Sequence, residues 1–145
     1  MATSAAADHL VAVLSSWVAD AENDAKWTGI HEGTVGLRIA QRARDYTTIW
    51  FEVGQRTVGV EAFLVSAPQE NRVAVYEYCL NRNRTSWPAY IGRDRQGDLY
   101  VMARHPVTEF DAKAIEDLVG AIYETVELAF PTLLQIAYRG REKSY

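Results

Sequence analysis

A chain of 145 residues lies close to the ~150 that one domain usually takes, and residues 1–145 are read as a single domain. Apolar residues make up 48% and charged residues 23%, with a formal net charge of −4; such a chain buries its own core without a disulfide or metal staple. This excludes a disordered tail, a collagen-like repeat and a disulfide scaffold. The acidic balance also argues against a nucleic-acid partner, whose phosphates are held mostly by basic residues.

Residues 3–23 read as a helix. Leu10, Leu14, Trp17, Val18 and Ala21 recur at spacings of three and four, on one face. Thr3 or Ser4 suits the cap, Asp8 the positive end of the helix dipole, and Asn23-Asp24 the exit turn. The period then changes to two. Residues 34–39 predict a strand, with Ile30 in an earlier part of it and Gly33 as a bulge or turn. Ile49, Phe51 and Val53 alternate with Trp50 and Glu52. After Gly54-Gln55-Arg56, Val58, Val60, Ala62 and Leu64 alternate with Gly59, Glu61, Phe63 and Val65. These two runs predict an antiparallel hairpin.

Ser66-Ala67-Pro68-Gln69 announces a second helix, with Ser66 as its cap and Pro68 in its first turn. Val73, Tyr76 and Leu80 form its expected apolar face, with Cys79 beside it, and Asn81-Arg82-Asn83-Arg84 its end. Residues 89–93 and 98–104 predict a second hairpin around Asp94-Arg95-Gln96-Gly97, stopped by Pro106. The last helix starts near Thr108 or Asp111 and carries Ile115, Leu118, Val119, Ile122, Val126, Ala129 and Leu133 on one face. Pro131 is expected to kink or restart it, and residues 139–145 to fray.

The order is helix, three strands, helix, two strands, helix: an α+β fold with an antiparallel sheet packed on helices. It resembles the bacterial YbjN family and its fold relatives, the type III secretion chaperones. Residues 58–134 carry the resemblance. A strand ends in an apolar run, a proline-started helix follows residues 65–68 and closes in Leu80-Asn81-Arg82-Asn83, then come a hairpin and a long helix with Phe130-Pro131-Thr132-Leu133. The resemblance implies a compact domain, often homodimeric, that binds peptides or proteins without catalysis. It supplies no catalytic residue.

The residues themselves offer little chemistry. His9, His31 and His105 have no ligand spacing among themselves or with Cys79, so no metal site is expected. Cys79 is the only cysteine; it reads as a small core residue and fits a reducing compartment. Asp20, Glu22 and Asp24, then Asp111, Glu116 and Asp117, read as solvated helix surfaces. Glu52 and Glu61, mid-strand on two arms of one hairpin, read as guards of an otherwise sticky face. Gly54-Gln55-Arg56-Thr57-Val58-Gly59 joins two strands and lacks the lysine of a phosphate loop, so it is a hairpin turn and no cofactor is expected. Arg42/Arg44, Arg82/Arg84, Arg93/Arg95 and Arg139/Arg141, interleaved with aromatics, are outweighed for nucleic acid by the negative charge. No run of 18 apolar residues and no basic-then-apolar leader occurs, so the expected location is cytoplasmic, with no membrane partner.

Strand alternation gives the most useful inference. With the aliphatic set under the helices, the opposite face carries Trp50, Glu52, Glu61, Phe63, Tyr90, Tyr100, Met102 and Arg104. Aromatics, Met and Arg are enriched at protein interfaces. Three readings stay open: cover by a helix of the same chain, a homodimer surface, or a seat for a client polypeptide. Trp50, Phe63, Tyr90, Tyr100, Met102 and Arg104 are the candidate partner-binding residues, and the expected mechanism is apolar burial on the sheet and the neighbouring first helix. The alternative is a small ligand-binding or enzymatic domain with a pocket hidden from sequence. A regulator acting through protein contact shares the physics of the first reading.

Overall fold

A computed structural model describes residues 4–138. Helix α1 (Ala5–Ala19) is followed by strands β1 (Ala25–His31), β2 (Thr34–Ala40), β3 (Tyr46–Val53) and β4 (Thr57–Val65). Helix α2 (Arg72–Asn83), strands β5 (Tyr90–Arg93) and β6 (Leu99–Pro106), and helix α3 (Ala112–Tyr138) complete the chain. The expected α+β class holds. Its first block, however, has four strands where the sequence suggested three. The strands form one sheet in the order β1-β2-β3-β4-β6-β5, every neighbouring pair antiparallel.

The extra strand comes from residues 20–31. Ser4 caps α1 as expected, its hydroxyl accepting from Ala7 N at 3.1 Å. The helix stops at Ala19 because Asp20 turns its carboxylate onto the Glu22 amide at 3.0 Å, a local bond that competes with helix. Thr3, the other expected cap, lies outside the described residues, as do residues 139–145. Beyond the turn, β1 pairs with β2 through Glu32 and Gly33, both at positive φ (51° and 83°), which is the turn geometry that matches strand twist in a two-residue hairpin.

α2 also departs from the expected pattern. It begins at Arg72, and Ser66 does not cap it. Its buried residues are Val75 and Cys79, while Val73 and Leu80 are 71% and 68% exposed. The line Val75, Cys79, Asn83 explains the rotation. Asn83 holds Ile91 of β5 from both ends of its amide, donating to the carbonyl and accepting from the N–H, each at 2.9 Å. That lock fixes which helix face looks inward and occupies the outer backbone groups of an edge strand. Asn71, ahead of α2, donates to the Ile136 carbonyl at 3.0 Å, one of the acceptors left open in the last turn of α3.

α3 starts as expected, with the Asp111 carboxylate accepting from Ala114 N at 2.8 Å. It continues through Pro131 without restarting. Leu10 and Leu14 of α1, Val75 of α2 and Ile115, Leu118, Ile122, Val126 and Leu133 of α3 join one core cluster with Val35, Leu37, Ile49, Phe51, Val60, Leu64 and Val101 of the sheet. All three helices therefore cover the same sheet face, the aliphatic one.

Candidate functional site

The other face follows from register. Gly29, Gly36, Trp50, Glu61, Met102 and Tyr90 are successive cross-strand partners, one on each of the six strands. With strands ~4.8 Å apart, such a row runs roughly 24 Å. Beside it lie Trp27-Arg38-Thr48, Phe63-Tyr100-Gly92 and Glu52-Gly59-Arg104, in register order. Trp50, Phe63, Tyr90, Tyr100, Met102 and Arg104 thus share one face, as the alternation predicted. Among the described residues no helix covers it: Trp27 is 38% and Phe63 42% exposed. α1 packs on the aliphatic side, so the sheet alone makes this surface and the first helix does not extend it.

Glycine shapes the surface. A Cβ on Gly36 would stand 2.8 Å from the Trp50 ring and 2.9 Å from the Trp27 ring; on Gly29 it would stand 2.5 Å from the Trp27 ring. The two indoles lie down over bare backbone, 6.4 Å apart and edge to face at 71°. Phe63 and Tyr100 make a second edge-to-face pair at 5.8 Å, a favoured aromatic arrangement. Large rings packed edge to face on the sheet give a broad apolar floor.

Charge is spread over it. The Arg38 guanidinium sits 4.6 Å from the Tyr46 ring centre and 5.5 Å from that of Trp27. Arg104 donates to the Thr57 hydroxyl at 3.0 Å. Glu52 and Glu61 stand diagonally across the β3–β4 pairing. The one ion pair among the described residues is Lys113–Asp117 on α3, so no ion pair among the described residues neutralises these arginines and glutamates. Burial, then Asp94 through its charge and a side-chain hydrogen bond, then the charges of Asp98 and Glu61, push the Tyr100 phenol up.

Among the described residues no catalytic constellation assembles. His31 lies beside Trp50 and His105 beside Phe110, ring centres 6.3 and 6.1 Å apart, while His9 is exposed on α1. Among the described residues no group of three His, Cys, Asp or Glu could hold a metal ion. Cys79 is buried, and burial pushes its thiol up to about 11. Asp20 and Asp111 serve as backbone acceptors, and Asp117 pairs with Lys113. Gly54 donates to Thr57 O at 2.9 Å, closing the expected hairpin.

Sequence reading missed Trp27, Arg38, Tyr46 and the two glycines beneath the indoles. The register shift between Ala25 and Trp27 breaks the alternation that would have placed Trp27.

Residues 10–135 match the family model YbjN, described as "Putative bacterial sensory transduction regulator". The chain belongs to the YbjN family. An uncharacterized protein of Mycobacterium leprae is 31% identical over 116 residues, which cover 79% of this chain and 63% of that protein. An uncharacterized protein of Mycobacterium tuberculosis is 34% identical over 87 residues, or 60% and 48%. The chain thus spans about half to two thirds of the length of these YbjN relatives. Two solved structures share the fold. The heterodimeric ExoU-SpcU complex from the type III secretion system of Pseudomonas aeruginosa gives a TM-score of 0.57 at 20% identity, covering 83% of this chain and 93% of that one. The ExsC-ExsE complex gives 0.61 at 10%, covering 90% and 97%. No helix among the described residues is long and apolar enough to cross a membrane.

Proposed function

We propose that this YbjN domain is a non-catalytic binding module that seats a segment of another polypeptide on its open sheet face. One observation carries the proposal: a floor of Trp27, Trp50, Phe63 and Tyr100 that no helix among the described residues covers, carrying arginines and glutamates that have no ion-pair partner among those residues. Contiguous apolar surface left open on a chain marks an interaction site. The fold neighbours, solved as complexes of two proteins, fit the same reading. Apolar burial supplies affinity, and Arg38, Arg104, Glu52 and Glu61 set register and partner choice. Self-pairing as a homodimer and a regulatory role exerted by protein contact belong to the same proposal.

The test is Trp50→Glu. It places a charge at the centre of the face, away from the core, and loss of a buried aromatic anchor costs ~2 kcal/mol or more, roughly a thirtyfold loss of affinity. The variant is expected to fold and to lose proteins that co-purify with the parent chain. Unchanged association in a folded variant contradicts the proposal. Light scattering tests the homodimer, since a mass of 16.3 kDa means a monomer.

A further inference from the structure

A second concavity adjoins that floor at Phe63. Between the end of β4 and the last turns of α3, an apolar groove of about 280 Å³ is walled by Val65, Pro68, Val75, Phe130, Leu134 and Ala137. The volume is at the small end of the ~300–1,000 Å³ usual for small-molecule sites. Among the described residues its lining carries one cation, Arg44, from the β2–β3 connection. The Arg44 Nε donates to the Thr47 hydroxyl at 3.1 Å, Nη1 to the Leu64 carbonyl at 2.9 Å and Nη2 to the Phe63 carbonyl at 2.5 Å. The guanidinium carbon lies 5.0 Å from the Phe130 ring centre.

These contacts hold the guanidinium in place and leave its charge unanswered. All three acceptors are neutral, and no carboxylate among the described residues pairs with it. Partial burial alone lowers its pKa, with no acid to offset the effect. Arginine still stays protonated. One N–H remains on each terminal nitrogen, the two donors that the two oxygens of a carboxylate need. A single positive charge beside apolar walls suits a monoanion with an aliphatic body better than a dianionic phosphate.

We infer that this groove binds an aliphatic monocarboxylate of short to medium chain length, its carboxylate on Arg44 and its chain along Phe130 and Leu134. The groove shares Phe63 with the floor, but the inference does not rest on the protein-binding proposal. Calorimetric titration of the full chain with octanoate, octan-1-ol and octylammonium tests it. Octanoate is expected to bind saturably, one per chain, at least ~10-fold tighter than octan-1-ol, a difference of about 1.4 kcal/mol, and octylammonium should not compete. Leu134→Trp fills the groove without touching the Arg44 hydrogen bonds and is expected to abolish binding with an unchanged circular dichroism spectrum. Arg44→Gln should bring octanoate down to the level of the alcohol. Should Arg44→Gln fail to fold, the Leu134→Trp result decides. Equal affinity for all three ligands, binding undiminished in folded Leu134→Trp, or no saturation below about 1 mM, the weak end of useful affinities, each overturns the inference.

Discussion

Single atoms decide how the open face is built. The Trp27 and Trp50 indoles both close onto the sheet backbone because Gly36 has no side chain. Gly36→Val pushes both rings outward. We expect a loss of about 1 kcal/mol, the low end for overpacking, because the rings can swing into solvent, and a red shift in tryptophan fluorescence. An unchanged emission maximum would show that the rings do not rest on that backbone. Cys79 gives a pH prediction. Its thiol is raised in the folded state to about 11, so folding favours the neutral form. The stability tied to it is fully present below the ordinary thiol range near pH ~8.5 and is lost as pH rises towards 11. Denaturant midpoints taken from pH 8 to 11 should fall more steeply in the parent chain than in Cys79→Ala. Equal slopes would place the thiol in contact with water.

At the scale of elements, Glu127 of α3 clasps the β2–β3 connection. Its carboxylate accepts from Arg42 N at 3.2 Å, Ala43 N at 2.7 Å and the Gln41 amide at 3.2 Å. Glu127→Ala strips these donors of their acceptor and should cost about 1–3 kcal/mol. Glu124→Ala, on the exposed side of the same helix, should cost little, and urea unfolding of both variants checks the contrast. How far elements could be read from sequence depended on whether their signal was local. The β3, β4 and β6 alternation and the α3 stripe are periodic in the chain, and both came out as expected. The face of α2 was not legible, because its rotation is set by Asn83 meeting Ile91, a contact between a helix and a strand. β1 was hidden by its register shift and by Ile30, an apolar side chain that the edge of the sheet leaves in solvent.

For the whole molecule, the central consequence of the fold is asymmetry. Three helices crowd one side of a six-stranded sheet, and aromatic side chains line the other. The candidate residues on that side were legible because a period of two sorts them without any knowledge of strand order. That no described helix covers them was not legible, since helix placement depends on packing across the whole chain. The Arg44 groove was equally hidden, being assembled from β4, α2, α3 and a connection that lies apart from all three in the sequence. If the open face is a seat for polypeptide, chemistry attached there should find protein. A photocrosslinking amino acid placed at Phe63, on the floor, and in parallel at Glu124, on the helical side, measures this directly in the cells that make the protein. A discrete polypeptide adduct from Phe63, absent from Glu124 and lost when Trp50→Glu is added, is the predicted result. No adduct from Phe63, or the same adducts from both positions, would contradict it.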